Sequence, residues 1–247
     1  GLGDVYKRQI LQLPEKIAIE KEIQIVICID EFQQISDFED SKTFQKKLRS
    51  VWQLQQHVSY CLFGSKKHLM NELFEKKNLP FYKFGDAIYL TKIETKYWIE
   101  YICKRFENTG KHISPELAEE ICRLVDNHSS YVQQLSWLLW IRTINTATTE
   151  QLTYALEDLL DQNNILFQSE TENLSAYQMN FLKAIVDGIH TKFSSKEVIS
   201  KYNLGTSANI VRLKNALLQK ELIETNGKEI VLADPVFGVW FKKEMLY

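Results

Sequence analysis

No Cys-x-x-Cys pair occurs in the sequence; its four cysteines, Cys28, Cys61, Cys103 and Cys122, are scattered through apolar stretches. A thiol in such surroundings acts as a small hydrophobe, which argues against a zinc ribbon or a disulfide framework and fits a reducing, cytoplasmic compartment. No apolar run approaches the roughly 18 residues that a membrane-spanning helix needs, so no membrane partner is expected. Charge of one sign is not in excess either: thirty basic against thirty-two acidic side chains give a formal net charge of -2. A protein that wraps nucleic acid carries a strong positive balance, so any such contact here has to be local. Internal repeats and low-complexity tracts are absent, and so are an initiator Met and the apolar core of a secretory signal. The opening GLGDVYKRQ, residues 1–9, has no periodicity continuous with the helical pattern after it and reads as a non-native scar.

What is present is ordinary globular composition, 45% hydrophobic and 25% charged, ordered into three stretches of different character. A helical pattern from Ile10 to Glu20, broken at Pro14, precedes the run Ile23–Ile29, whose near-continuous β-branched residues predict a strand buried on both faces. Helical spacing returns over Ser41–Gln56, a second apolar run covers Val58–Phe63, Lys67–Phe74 is helical, and Ala87–Ile93 predicts a third strand. Strands alternating with helices at this spacing predict an α/β layer with a parallel sheet. From Glu94 the strand patterns stop. Helices are predicted over Thr95–Glu107, from Ser114-Pro115 to Asp126, over Ser129–Ile144 and over Thr149–Asp161. The last stretch predicts helices over Ser175–Val186, Ser194–Tyr202 and Ser207–Lys220, then two short alternating runs joined by Asn226-Gly227. Three helices followed by a hairpin is the winged helix-turn-helix order.

Ligands of parallel α/β sheets bind beyond the carboxyl ends of the strands. The first strand ends at Asp30-Glu31. Neighbouring side chains at a strand tip diverge, so one carboxylate can serve a magnesium ion and the next a water, the Walker B pattern. The same residues also suit a merely solvated strand end. The second run ends at Gly64-Ser65, thirty-five positions beyond Asp30 and far enough for one crossover helix. Ser65 could meet a terminal phosphate, or its hydroxyl could simply cap the following helix.

Three blocks, IDEFQQI (Ile29–Ile35), FGSKKHLM (Phe63–Met70) and PFYKFG (Pro80–Gly85), resemble successive blocks of the archaeal-type ATPase domain, a branch of the AAA+ and STAND P-loop ATPases close to the Orc/Cdc6-like proteins. The segment HSSYVQQLSWLLW (His128–Trp140) resembles the lid helix of that family, and DPVFGVWFKK (Asp234–Lys243) the end of the winged helix that commonly comes after it. The resemblance covers about residues 10–243 in the same order. It implies an α/β fold: a partial parallel-sheet P-loop NTPase core over residues 10–93, a helical lid over 94–168 and a C-terminal winged helix-turn-helix over 169–247. It further implies ATP and Mg²⁺ as ligands, with Asp30 the metal-coordinating acid, Glu31 the catalytic glutamate and Ser65 the sensor that touches nucleotide. Two departures stand out. Asn127-His128-Ser129-Ser130 occupies the place of the family's Gly-x-Pro turn, and Lys83 stands in a block that often carries Arg, so no arginine finger is assigned. The largest departure is that no Gly-x-x-x-x-Gly-Lys-Ser/Thr occurs anywhere, so the phosphate grip of such ATPases is expected outside residues 1–247.

Residues 172–247 carry ten basic against eight acidic side chains, a balance of about +2. In the candidate recognition helix Asn209, Arg212 and Lys214, with Lys228 in the wing, could reach DNA. The alternative is that these residues solvate the outer face of a domain packed on another protein surface. His68, His112 and His190 show no ligand spacing. Three functions therefore compete: a nucleotide-switched ATPase, a non-enzymatic DNA-binding regulator on an α/β scaffold, and a protein-interaction module.

Overall fold

In the computed structural model, which describes residues 2–245 without the side chains of residues 2–7, 67 and 68, the chain divides into two compact units, one ending at Tyr89 and the other starting at Leu90. The first runs α1 (Leu2–Lys21), β1 (Ile25–Ile29), a 3-10 turn (Phe32–Asp37), α2 (Ser41–Trp52), β2 (Val58–Leu62) and α3 (Lys67–Glu75). Strands β1 and β2 pair in parallel, Ile25 opposite Val58 and Ile29 opposite Leu62. Glu15 of α1 fixes the approach to β2: its carboxylate accepts from the backbone N–H groups of Gln56 and His57, and one oxygen lies 2.9 Å from His57 Nδ1. Those bonds, the one from His57 foremost, hold the Glu15 carboxyl below the usual carboxylate range.

The core of this unit is aromatic. Phe81, wholly buried, meets Phe32 edge-on at 5.4 Å and Phe84 at 5.3 Å, while Trp52 stacks on Tyr60 at 4.1 Å. Arg49 of α2 holds the loop that carries Phe81 in place, donating to the Pro80 and Tyr82 carbonyls and lying 5.6 Å from the Phe84 ring centroid. The Phe32–Phe81 contact and the bonds of Arg49 join sequence blocks that are far apart in the chain.

Four expectations are corrected. Helix α1 begins at Leu2 and runs through Pro14, although an interior proline loses a hydrogen bond and crowds the carbonyl four residues before it; Gly1 and the side chains of the opening residues up to Lys7 lie outside the described residues. Strand β1 is covered on one face only: Ile25, Ile27 and Ile29 are half-buried, whereas Val26 and Cys28 are exposed. Cys61, opposite Cys28, is exposed as well, so of the four cysteines only Cys122 is a buried hydrophobe, its thiol pushed up to about 11 by burial. Ala87–Ile93 is not a strand; Ile88 is 86% and Leu90 93% exposed. Its composition suits a strand, but a strand exists only against a ladder partner, and among the described residues nothing pairs with it. Last, the helix expected to end at Asp161 runs to Glu172.

The second unit is built from α4 (Thr95–Glu107), α5 (Pro115–Leu124), α6 (Ser129–Arg142), α7 (Thr149–Glu172), α8 (Ala176–Val186), α9 (Lys196–Lys201), α10 (Ser207–Gln219), the antiparallel hairpin β3 (Ile223–Asn226) and β4 (Glu229–Leu232), and α11 (Pro235–Met245). Side-chain caps start several helices. Ser114 accepts from Leu117 N–H ahead of Pro115, and Thr148 and Ser175 form capping boxes with Gln151 and Gln178. Tertiary packing overrides the weak helix formers Asn163 and Asn164 in α7. Phe167 packs on Phe237 and Trp240 of α11, and Asn164 accepts from Trp240 Nε1 at 2.8 Å. Tyr131 of α6 donates to Asp234 at 2.5 Å, so one continuous core runs from α4 through α11.

Phe81 tests the aromatic core of the first unit. Phe81→Ala is expected to lower that unit's stability by about 3–5 kcal/mol, read by urea unfolding; a loss below about 1 kcal/mol would mean the cluster contributes little.

Candidate functional site

The parallel ladder of β1 and β2 does not stop at the last strand residues. Phe63 N–H donates to the Ile29 carbonyl at 3.1 Å and Phe32 N–H to the Phe63 carbonyl at 3.0 Å. The chain then turns at Glu31, whose φ of 49° and ψ of 40° lie in the left-handed region, before entering the 3-10 turn. This places Asp30, Glu31 and Ser65 together at the carboxyl end of the two strands. Ser65 Oγ donates to the Glu31 carboxylate at 3.0 and 3.3 Å. Asp30 Oδ1 accepts from Glu31 N–H at 2.8 Å, and among the described residues its Oδ2 has no hydrogen-bond partner.

Gln33 and Gly64, which carry no signal of their own in the sequence, complete the arrangement. Gln33 is 2% exposed, and its Nε2 donates to Glu31 Oε2. Its Oε1 has no partner among the described residues and lies against Gly64, where a Cβ would come within 1.9 Å of it. A side chain at Gly64 would have to push the Gln33 amide aside. The hint available in the sequence was position: a glycine directly before the polar residue at a strand end, and an amide two residues beyond the acid pair. Hydrogen bonds from Gln33, then Ser65, with a smaller contribution from the Lys66 charge, hold the Glu31 carboxyl below the usual carboxylate range. A carboxyl lowered in the folded state favours folding above its ordinary range, and that contribution is lost as pH falls through the lowered value. At neutral pH Glu31 is therefore an oriented anion, suited to accept a hydrogen bond rather than to give one.

The residues expected to touch DNA are only partly brought together. Helix α10 turns Ile210, Leu213 and Leu217 inward, so its outward face carries Ala208, Val211, Arg212, Asn215 and Gln219. Lys214, two residues from Arg212, sits about 160° around the helix from it at the margin of the buried face. Asn209 is spent internally, donating to the Leu204 carbonyl at 3.0 Å and packing beside Gly205. Lys228 is exposed in the turn between β3 and β4. Of the three lone histidines, His112 takes part in a backbone bridge with Thr146, His190 Nδ1 lies 3.1 Å from the Ile230 carbonyl, and the His68 side chain is outside the described residues.

Gly64→Ala is expected to displace Gln33 and return the Glu31 carboxyl towards its ordinary value, read from the pH dependence of its ¹³C carboxyl resonance. An unchanged titration would remove Gln33 as the leading cause of the shift.

Comparison with known proteins gives the fold its relatives. Residues 165–243 match the family model described as a probable winged helix domain. Among solved structures, the chain is similar to the Walker-type ATPase of Pyrococcus abyssi, at 17% identity and a TM-score of 0.73, over 95% of this chain and 67% of that one. It is also similar to the Aeropyrum pernix ORC2 protein in its ADPNP–ADP complexes, at 13% identity and a TM-score of 0.58, over 97% of this chain and 71% of that one. The chain thus spans about two thirds of the length of these structures. A comparison with curated protein sequences finds no match. The chain has the α/β fold of the Walker-type ATPases, followed by a winged helix domain.

Proposed function

We propose that the chain is the Walker B and sensor part of an ATP-hydrolysing, nucleotide-dependent switch of the AAA+/STAND kind. The carrying observation is the Ser65 hydroxyl 3.0 Å from the Glu31 carboxylate at the carboxyl end of a parallel strand pair, with Asp30 beside it. The donor set suits magnesium, a hard cation that takes one or two carboxylates and fills its shell with phosphate and water oxygens. In this reading phosphate and water oxygens supply the rest of the shell. Bound Mg²⁺·ATP supplies the electrophilic phosphorus and the charge of the metal. Asp30 offers Oδ2 to that cation. Glu31, held ionised and aimed by Gln33 and Ser65, accepts a hydrogen bond from the attacking water and orients it. Ser65 keeps the glutamate and the end of β2 in register. This reading requires a phosphate grip from a Gly-rich Lys loop, a motif that residues 1–247 do not contain. In the full-length protein Glu31→Gln is expected to lower ATP turnover by about 10²-fold or more while leaving nucleotide binding intact. Equal turnover in the two proteins would take Glu31 out of its role.

A second reading, that the winged helix docks on DNA, is favoured by one observation: Arg212 and Lys228 are exposed and make no ion pair among the described residues. Arg212→Ala is then expected to weaken duplex binding and to reduce the slope of log K against log salt by about 1. An unchanged affinity and slope would leave the domain as a protein-packing module.

A further inference from the structure

A groove of about 530 Å³ opens within the second unit between α4 and α6. Its walls are aromatic: Trp98, Tyr101 and Phe106 from α4, Trp137 and Trp140 from α6. Two of these are held open to solvent, Trp137 being 56% and Tyr101 43% exposed, a cost that an aqueous surface ordinarily avoids. The walls are also fixed. Trp140 Nε1 donates to Thr109 Oγ1 at 2.8 Å, and Lys111 lies over the Trp140 ring at 4.0 Å with its ammonium on the Trp140 carbonyl. Trp98 meets Tyr101 edge-on at 5.9 Å.

The charge around this groove has one sign. No lining residue is acidic, and Arg105, which lines it, stacks over Tyr101 at 5.0 Å and makes no ion pair among the described residues. Three of the other polar side chains are spent inside the protein. Ser136 Oγ donates to the Val132 carbonyl and Gln133 Nε2 to the Ser129 carbonyl, while Thr109 Oγ1 donates to the Phe106 carbonyl as it accepts from Trp140. Among the described residues of the groove the guanidinium is the one cation, and the Trp98 indole N–H, buried without a partner, is a second donor left for a guest. A site of this volume with flat apolar walls and a single free cation matches the anatomy of small-molecule pockets. We propose that the groove binds a small aromatic carboxylate, its ring lying among Trp98, Trp137 and Trp140 and its carboxylate paired with Arg105. This inference is independent of the nucleotide reading, because every residue it uses lies in the first helices of the second unit.

The test is calorimetric titration of the whole chain with 1-naphthylacetate and with 1-naphthylacetamide, its neutral counterpart, alongside ¹H–¹⁵N spectra of the tryptophan indoles. Saturable binding of the acid is expected, with the Trp137 and Trp140 indole signals shifting. Arg105→Gln should weaken the acid about fivefold and leave the amide unchanged, since an exposed ion pair contributes little more than that. Trp137→Ala, at an exposed position that leaves the core intact, should weaken both about tenfold or more. Absence of saturable binding at millimolar acid overturns the proposal, as does equal affinity for acid and amide. Concentration-dependent dimerisation that Trp137→Ala abolishes would assign the groove to a second copy of the chain and overturn it too.

Discussion

Parallel pairing of β1 with β2 is the constraint on which the candidate site rests. Ile29 opposite Leu62 fixes the register, and the two further backbone bonds between Ile29, Phe32 and Phe63 carry the pairing past the ends of the strands. A slip by one residue would invert every side chain on the moved strand and part Ser65 from Glu31. The register is in turn held by burial on one face. Tyr60 and Leu62 pack with Phe32, Trp52 and Phe81, and the α1 carboxylate of Glu15 chelates the backbone just before β2. The acids therefore owe their position to an aromatic cluster that takes no part in the chemistry.

That cluster and the tail of the chain use the same device at different scales. In the first unit Arg49 ties a loop to a helix through two carbonyls, freeing Phe81 to fill the centre. In the second, Asp234 caps α11 by accepting from the Val236 and Phe237 N–H groups and also accepts from Tyr131 of α6. Burial, then this bond to Asp234, pushes the Tyr131 hydroxyl well above its ordinary range, so it stays a neutral donor at any physiological pH. Each polar tie sits at the margin of an apolar core and leaves no charge stranded inside it.

Much of this was legible in the sequence. The β-branched run before Asp30, the second run before Gly64-Ser65, the capped helix starts and the Asn226-Gly227 turn all carry local physical reasons that the fold respects. What escaped depends on partners the sequence cannot display. Ala87–Ile93 has the composition of a strand and lacks a ladder to join. Val26 and Cys28 read as doubly buried and are covered on one side. The helix expected to end at Asp161 runs on to Glu172, where Phe167 packs on Phe237 and Trp240. The left-handed turn at Glu31 and the burial of Gln33 against Gly64 are set by tertiary neighbours and carry no mark in the sequence. Arg212 and Lys214 look like one basic patch in the alphabet and lie on different sides of α10 in space.

Helix α7 has a mechanical consequence. Twenty-four residues without interruption make a rod of roughly 36 Å. Its first half packs on α6 and its last turns on α11, so one helix ties the first helices of this unit to the winged helix. A tilt of about 6° at one end would carry the other through roughly 4 Å. Any such tilt would reach the winged helix through continuous helix, with no break in between.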